Sequence, residues 1–354
     1  MRVWIDALTP KQARLAAYLY ERLTSKGFRV LVTTRDYDIT RFVLERLGVE
    51  YISVGRHGGG DLKSKLIADL ERALHLVGVV DEFRPDVLVS YPSPSALRVA
   101  FGLAMPSIVF TDSPHSIPAH LLTVPLADYL IYPSLIPRQF FERYASFKTR
   151  FIAYMGIDEI GWVREHKCNE DLLGELGLEK DGYVVVRLAE TLAEYYRGWP
   201  KPPLASIIEE LVRNGFKVVA IPRYASDYEL VDELRRKYSG MIVVIWGTAV
   251  ESLDLYCWAR LVITGGATMA REAALMCKQA LSFYPVYLNK VLEQLGFPLI
   301  NYQGEYTPAS VLTLIRNLLE EPVSCTGQAR ELIKTFETPA EPLLSLLEEL
   351  QSKI

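Results

Sequence analysis

No two cysteines stand at CxxC spacing; the four in the chain, Cys168, Cys257, Cys277 and Cys325, are scattered. That scatter fits reduced core or surface thiols in a cytoplasmic protein better than a zinc site or a disulfide framework. HxxxH and HExxH spacings are also missing, and no GxGxxG follows an expected strand, so neither a metal nor NAD is expected. Asp36 and Asp38, two apart, are read as caps of the helix that follows them. No apolar run reaches the ~20 residues of a membrane span. The most apolar stretch, Leu121 to Pro137, is broken by Pro125, Asp128 and Pro133. Asp6 comes too early for a secretory leader. Basic charge is in slight deficit, 39 basic against 43 acidic residues for a formal net charge of −4, so no broad nucleic-acid surface is expected.

What is present is core material: half of the 354 residues are hydrophobic and 23% are charged. Apolar β-branched runs alternate with helical patterns along nearly the whole chain. Strands are expected at Val3–Ile5, Phe28–Thr33, Val49–Val54, Val87–Ser90, Ser107–Phe110 and Tyr129–Tyr132. A second series follows at Tyr183–Val186, Lys217–Ile221, Met241–Ile245, Leu261–Ile263 and Gln279–Phe283. Thr9, Pro10 and Gln12 form a capping-box start to the first helix. Repeated βα units predict parallel sheets covered by helices. The fold class expected is α/β, with two Rossmann-like domains facing across a cleft. The first spans 1–155, 156–180 is a linker, and the second spans 181–338. The last helix, 339–354, is expected to pack back on the first domain.

Ligands of such sheets bind beyond the carboxyl ends of the strands, which directs attention to particular loops. Gly265 to Ala274 (Gly-Gly-Ala-Thr-Met-Ala-Arg-Glu-Ala-Ala) leaves a strand and opens a helix. Its glycines permit close backbone approach, and its helix N-terminus offers N–H groups to a phosphate. A tight turn with an acid near the helix N-terminus accounts for it equally well. This segment resembles the signature of an archaeal family of uncharacterised proteins, the domain-of-unknown-function 354 family. That family is itself similar to GT-B glycosyltransferases and to non-hydrolysing UDP-N-acetylglucosamine 2-epimerases. Trp4-Ile5-Asp6 with Thr9-Pro10-Lys11-Gln12, Thr33 to Tyr37, Val109 to Asp112 and Ile221-Pro222-Arg223 extend the resemblance over most of the chain.

The resemblance implies a donor site on Gly265, Gly266, Thr268 and Glu272, with Trp246 of the Trp246-Gly247-Thr248 loop against the base. Arg187 and Arg223, each ending a strand, suit a diphosphate; ion pairs with Glu190 or Asp227 are the plain alternative. On the first domain, Asp6, Lys11 and His57 are acceptor-side candidates. Lys11 is unfavourable at a helix N-terminus unless an anion offsets it. Asp112 and His115, three apart after a strand, are the candidate acid–base groups. His120 is a weaker partner, and His75 and His166 are read as surface residues.

The function expected is metal-independent sugar transfer from a nucleotide sugar, UDP-type first, with no cofactor. The acceptor is open; apolar surface around Leu121 to Ile136 leaves room for a lipid-linked one at a membrane face. A 2-epimerase-like reaction is the alternative. Against it, Ser90-Tyr91-Pro92-Ser93-Pro94 lacks the acid those epimerases carry there; for it, Asp112 stands where they have a glutamate. Nucleotide-sugar binding without turnover is the third reading. The oligomeric state is not readable.

Overall fold

The computed structural model describes residues 1–189, 202–247, 250–284 and 286–352; Glu190 and Thr248 lie outside them. The chain divides into two units, Met1–Trp162 with Phe336–Ile354, and Val163–Thr335.

The first unit is built on a parallel sheet of β1 (Arg2–Ala7), β2 (Arg29–Asp36), β3 (Ile52–Arg56), β4 (Val87–Ser90), β5 (Ser107–Phe110), β6 (Tyr129–Pro133) and β7 (Arg150–Tyr154). Its spatial order is β3-β2-β1-β4-β5-β6-β7. β4 and β5 are buried at every position, as a sheet covered on both faces requires. The Pro10–Ser25 helix turns Leu15, Leu19 and Leu23, four residues apart, into this core. Thr9 caps it, its Oγ1 accepting the Gln12 N–H at 3.4 Å. The return bond differs from a simple capping box: Gln12 Oε1 accepts from Leu8 N at 2.6 Å. From the far end of the chain, the Ala340–Gln351 helix adds Ala340, Leu343, Leu346 and Leu347 to the same core.

The second unit carries β8 (Tyr183–Arg187), β9 (Lys217–Ile221), β10 (Ile242–Val244), β11 (Leu261–Thr264), β12 (Ala280–Ser282) and β13 (Leu299–Asn301). They too are parallel, ordered β10-β9-β8-β11-β12-β13. Both sheets reverse their strand order once, between β1 and β4 and between β8 and β11.

The α/β class is as expected; several details are not, among them β3, which runs Ile52–Arg56 rather than from Val49. β7 and β13 escaped the sequence reading; each lies at the edge of its sheet, and β7 buries only Tyr154. Asp36 and Asp38 do not cap the Thr40–Arg46 helix, which has Ile39 at its N-cap and no side-chain cap. Finally, the thiols are not reduced: Cys168 is bonded to Cys257 and Cys277 to Cys325. The partners lie 89 and 48 residues apart, so topology rather than local spacing brings them together. No described helix is long and apolar enough to cross a membrane.

Candidate functional site

In the first unit the chemistry gathers around one lysine. Lys11, in the first turn of the Pro10–Ser25 helix, is ion-paired with Asp112. It also lies 2.8 Å from Asp158 Oδ2 and 3.6 Å from Glu159 Oε1, and donates to the Tyr91 hydroxyl at 3.0 Å. All three acids are buried, Glu159 completely. Ser113 Oγ donates to Asp112 Oδ1 at 2.7 Å, and Tyr154 OH to Asp158 Oδ1 at 2.6 Å. The contributing loops follow β1, β4, β5 and β7, so the cluster sits at the carboxyl edge of the sheet, on the side where strand order reverses. The charge conflict at the helix N-terminus is thus resolved by carboxylates of the protein itself.

Sequence reasoning found Lys11 and Asp112 and missed Asp158, Glu159, Tyr91 and Tyr154. The missed acids fall in the segment read as linker. The signal was there: Phe151 to Tyr154 is an unbroken apolar run, and Gly156-Ile157-Asp158-Glu159 is the loop at its carboxyl end. Gly156 is demanded by a close approach, since a Cβ there would lie 2.0 Å from the Glu337 carbonyl oxygen.

Asp6 has a different task. Its Oδ1 accepts from Arg72 Nη2 and Thr33 Oγ1, each at 2.5 Å, and its Oδ2 from Ser93 Oγ at 2.7 Å and Arg72 Nη1 at 3.2 Å. Arg72, also buried, donates further to Ser95 Oγ and the Val54 carbonyl. Both oxygens of Asp6 are therefore occupied inside the core, which leaves it a structural anchor rather than an acceptor-side group.

His57 stacks at 4.4 Å on Tyr37, and its Nδ1 accepts the Gly59 N–H at 3.2 Å. Burial, with Arg35 and Lys65 nearby, lowers its pKa to about 4. His115 is half-buried. His120 is fully buried between Phe141 and Tyr144, its Nε2 2.9 Å from Thr111 Oγ1. Burial first, then His115 and Arg143, bring its pKa down to about 4 against the pull of Asp112. The unfolded chain therefore takes up protons at both histidines between pH 6.5 and about 4 while the folded chain does not, so stability falls as pH drops through that window. His120→Gln keeps a partner for Thr111 but cannot titrate. We expect its Tm to fall less steeply over that window than that of the wild type, with His120 accounting for up to about 3 kcal/mol. Parallel Tm–pH profiles would reject this assignment.

The second unit places its candidates at the equivalent edge. Arg187 ends β8 and donates to the Pro222 carbonyl at 2.8 Å. Asp227 accepts the N–H groups of Arg223 and Tyr224, each at 3.1 Å. Burial raises the Asp227 pKa, opposed by that Arg223 N–H and the charges of Arg187 and Arg223. Gly265 follows β11, and a Cβ on it would lie 2.3 Å from Ala189 Cβ, so packing alone demands glycine there. A Cβ on Gly266 would meet only Thr264 Oγ1, at 3.6 Å. The Gly266 N–H donates to that same oxygen at 2.9 Å. An anion would therefore find its donors in the first turn of the Thr268–Leu275 helix, whose N–H groups have no carbonyl within the helix. Glu272, one turn on, is buried beside Arg271, which bonds Asn289. Trp246 is 41% exposed, its ring 5.7 Å from that of Tyr228. His166 is not the surface residue expected: it is largely covered, with Nε2 2.8 Å from Asp254 Oδ1.

Residues 1–328 match the family described as "Protein of unknown function (DUF354)". Uncharacterized protein MJ0665 of Methanocaldococcus jannaschii is 27% identical over 289 residues, 80% of this chain and 82% of that protein. Among solved structures, the UDP-GlcNAc 2-epimerase of M. jannaschii, in complex with UDP-GlcNAc and UDP, superposes with a TM-score of 0.73 at 14% identity. The match covers 99% of this chain and 100% of that one. The UDP-GlcNAc 2-epimerase of Neisseria meningitidis bound to UDP-GlcNAc gives the same TM-score, identity and coverage. Spinosyn rhamnosyltransferase SpnG gives 0.62 at 15% identity, covering 98% and 100%. At such identities the likeness is one of fold.

Proposed function

The chain belongs to the DUF354 family, and from that premise and the two loop clusters we propose that it acts on a nucleotide sugar, as a GT-B-type glycosyltransferase. The observation that carries the reading is the paired placement of the clusters. Lys11 and Tyr91 flank the reversal between β1 and β4, and Arg187 and Gly265 flank that between β8 and β11. That is where open α/β sheets take their ligands. The second unit holds the donor. Arg187, Arg223 and the first turn at Thr268 meet the diphosphate, Trp246 stacks on the base, and Glu272 takes the ribose. UDP is the first nucleotide to test, since both epimerases above were solved with UDP-GlcNAc.

In the first unit Asp112 is the base that takes the acceptor hydroxyl proton, with His115 beside it. Lys11 positions the carboxylate and Tyr91 orients the lysine. An acceptor with an apolar chain would meet the exposed Ile117, Leu121 and Leu122 of the Ile117–Thr123 helix.

Epimerisation is the second reading, and one observation favours it. Elimination and re-addition at the sugar ring need several acids, and Asp158 and Glu159 stand with Asp112 where only one was expected.

The experiment is calorimetric titration with UDP, GDP, CMP and their common sugar conjugates, followed by incubation of the bound conjugate in D2O. One nucleotide is expected to bind at micromolar Kd. Gly266→Ala, which the fold tolerates, is expected to weaken it at least about tenfold by crowding the diphosphate approach. Transfer or slow donor hydrolysis releases free nucleotide without ring deuterium, whereas epimerisation brings deuterium to C2. Binding with neither outcome supports a binding protein. No binding to any of them overturns the proposal.

A further inference from the structure

Beside one of the two disulfides stands a set of groups with the chemistry of metal ligands. His166 and Cys168 lie two apart in the segment before the Asp171–Leu176 helix, and Asp254 and Cys257 lie three apart on the Ser252–Cys257 helix. A histidine nitrogen, a carboxylate oxygen of Asp254 and Cys257 Sγ all lie within 4.8 Å of one another. Cys168 Sγ is one bond away from the last of these. Asp254 Oδ1 also accepts the Asn169 N–H at 2.9 Å, the kind of outer bond that orients a ligating carboxylate. Asp254 and Cys257 are buried, while the His166 side chain retains 14% exposure, so the group has a covered floor and an open side. Among the described residues, Cys277 and Cys325 have no such company.

Tetrahedral zinc takes sulfur at about 2.3 Å and nitrogen or oxygen at about 2.0–2.2 Å, which sets its ligands roughly 3.3–3.8 Å apart. The donors of His166, Asp254 and Cys257, within 4.8 Å of one another, stand within about 1.5 Å of that spacing. We propose that His166, Cys168, Asp254 and Cys257 form a zinc site that replaces the disulfide when the latter is reduced. A thiol reductant delivers two electrons and two protons to the Cys168–Cys257 bond and is itself oxidised to a disulfide. The two thiols then lose their protons to solvent as zinc binds their thiolates, with a His166 nitrogen and an Asp254 oxygen completing the shell. The same two segments are joined in either redox state, by a covalent bond in one and by the ion in the other. Zinc rather than a harder cation follows from two sulfurs and an imidazole in the donor set.

Cobalt(II) is the probe, added to full-length protein reduced with a phosphine and desalted under argon. One Co2+ per chain is expected, with thiolate-to-cobalt charge transfer and tetrahedral ligand-field bands that Zn2+ displaces. Oxidised protein is expected to show neither. His166→Ala and Asp254→Asn are expected to weaken Co2+ by more than about tenfold each, and Cys277→Ser to leave the spectrum unchanged. Because Cys257→Ser could fail to fold, the wild type is also alkylated after reduction, with and without Zn2+. Protection of Cys168 and Cys257 but not of Cys277 and Cys325 supports the site. An octahedral spectrum without charge transfer, or equal alkylation of all four cysteines with zinc present, overturns it.

Discussion

Asp112→Asn is expected to lower turnover of the bound nucleotide sugar by about 10²–10⁴-fold, the usual worth of a positioned general base, and to leave nucleotide affinity unchanged. The substitution is nearly isosteric and keeps an oxygen for Ser113 Oγ, which now donates to Asp112 Oδ1 at 2.7 Å. Lys11 retains Asp158 at 2.8 Å and Glu159 at 3.6 Å, so the ammonium stays in place and the fold survives. Single-turnover rates and Tm, measured together, separate chemistry from stability. A drop in kcat with little change in Tm is the signature of the base. Asp158→Asn is the comparison, because its Oδ1 is already tied to the Tyr154 hydroxyl. Should Asp158→Asn abolish turnover while Asp112→Asn spares it, the roles assigned to these two acids are wrong.

Arg72→Met is expected to destabilise the first unit by about 3–5 kcal/mol, the range for removing one partner of a buried ion pair. Arg72 is buried, bonds both oxygens of Asp6, and adds bonds to Ser95 and to the Val54 carbonyl. Methionine fills much of the same space and leaves the Asp6 charge, among the described residues, with the hydroxyl donors Thr33 and Ser93. Hydrogen exchange of the β1 amides reports on this unit directly, where a whole-chain melt mixes two units. Arg72→Met combined with Asp6→Asn is expected to recover part of the loss, because the stranded charge is then gone. A loss below about 1 kcal/mol for the single variant would contradict the account, since surface pairs already reach that range.

Much of the fold was legible because parallel βα units write themselves locally. A buried strand is a short β-branched run, and β4, β5 and β9 emerge with the limits read from sequence. The site was half legible. Lys11 and Asp112 stand at loop positions that the carboxyl-edge rule picks out, and one of them carried an evident charge conflict. Asp158 and Glu159 were hidden because β7 went unrecognised, and without that strand their loop looked like linker. Asp6 misled for the opposite reason: its position is that of a ligand-binding acid, but Arg72, 66 residues later, occupies it. The disulfides belong to the same class of miss. A pairing across 89 residues leaves no periodicity and no motif, and becomes visible only when strands and helices are laid side by side.

The return of the Ala340–Gln351 helix to the first unit imposes an order on biosynthesis. Leu343, Leu346 and Leu347 complete a core that opens with Val3 and Ile5, yet the ribosome delivers them only after the whole of Val163–Thr335. At about 5–20 residues per second the interval is roughly 10–40 s. For that time the nascent first unit presents the apolar surface which the last helix covers, while the second unit, contiguous in sequence, already has everything it needs to fold. The half made first is the half finished last, and a chaperone that engages this chain during translation would find its binding surface there.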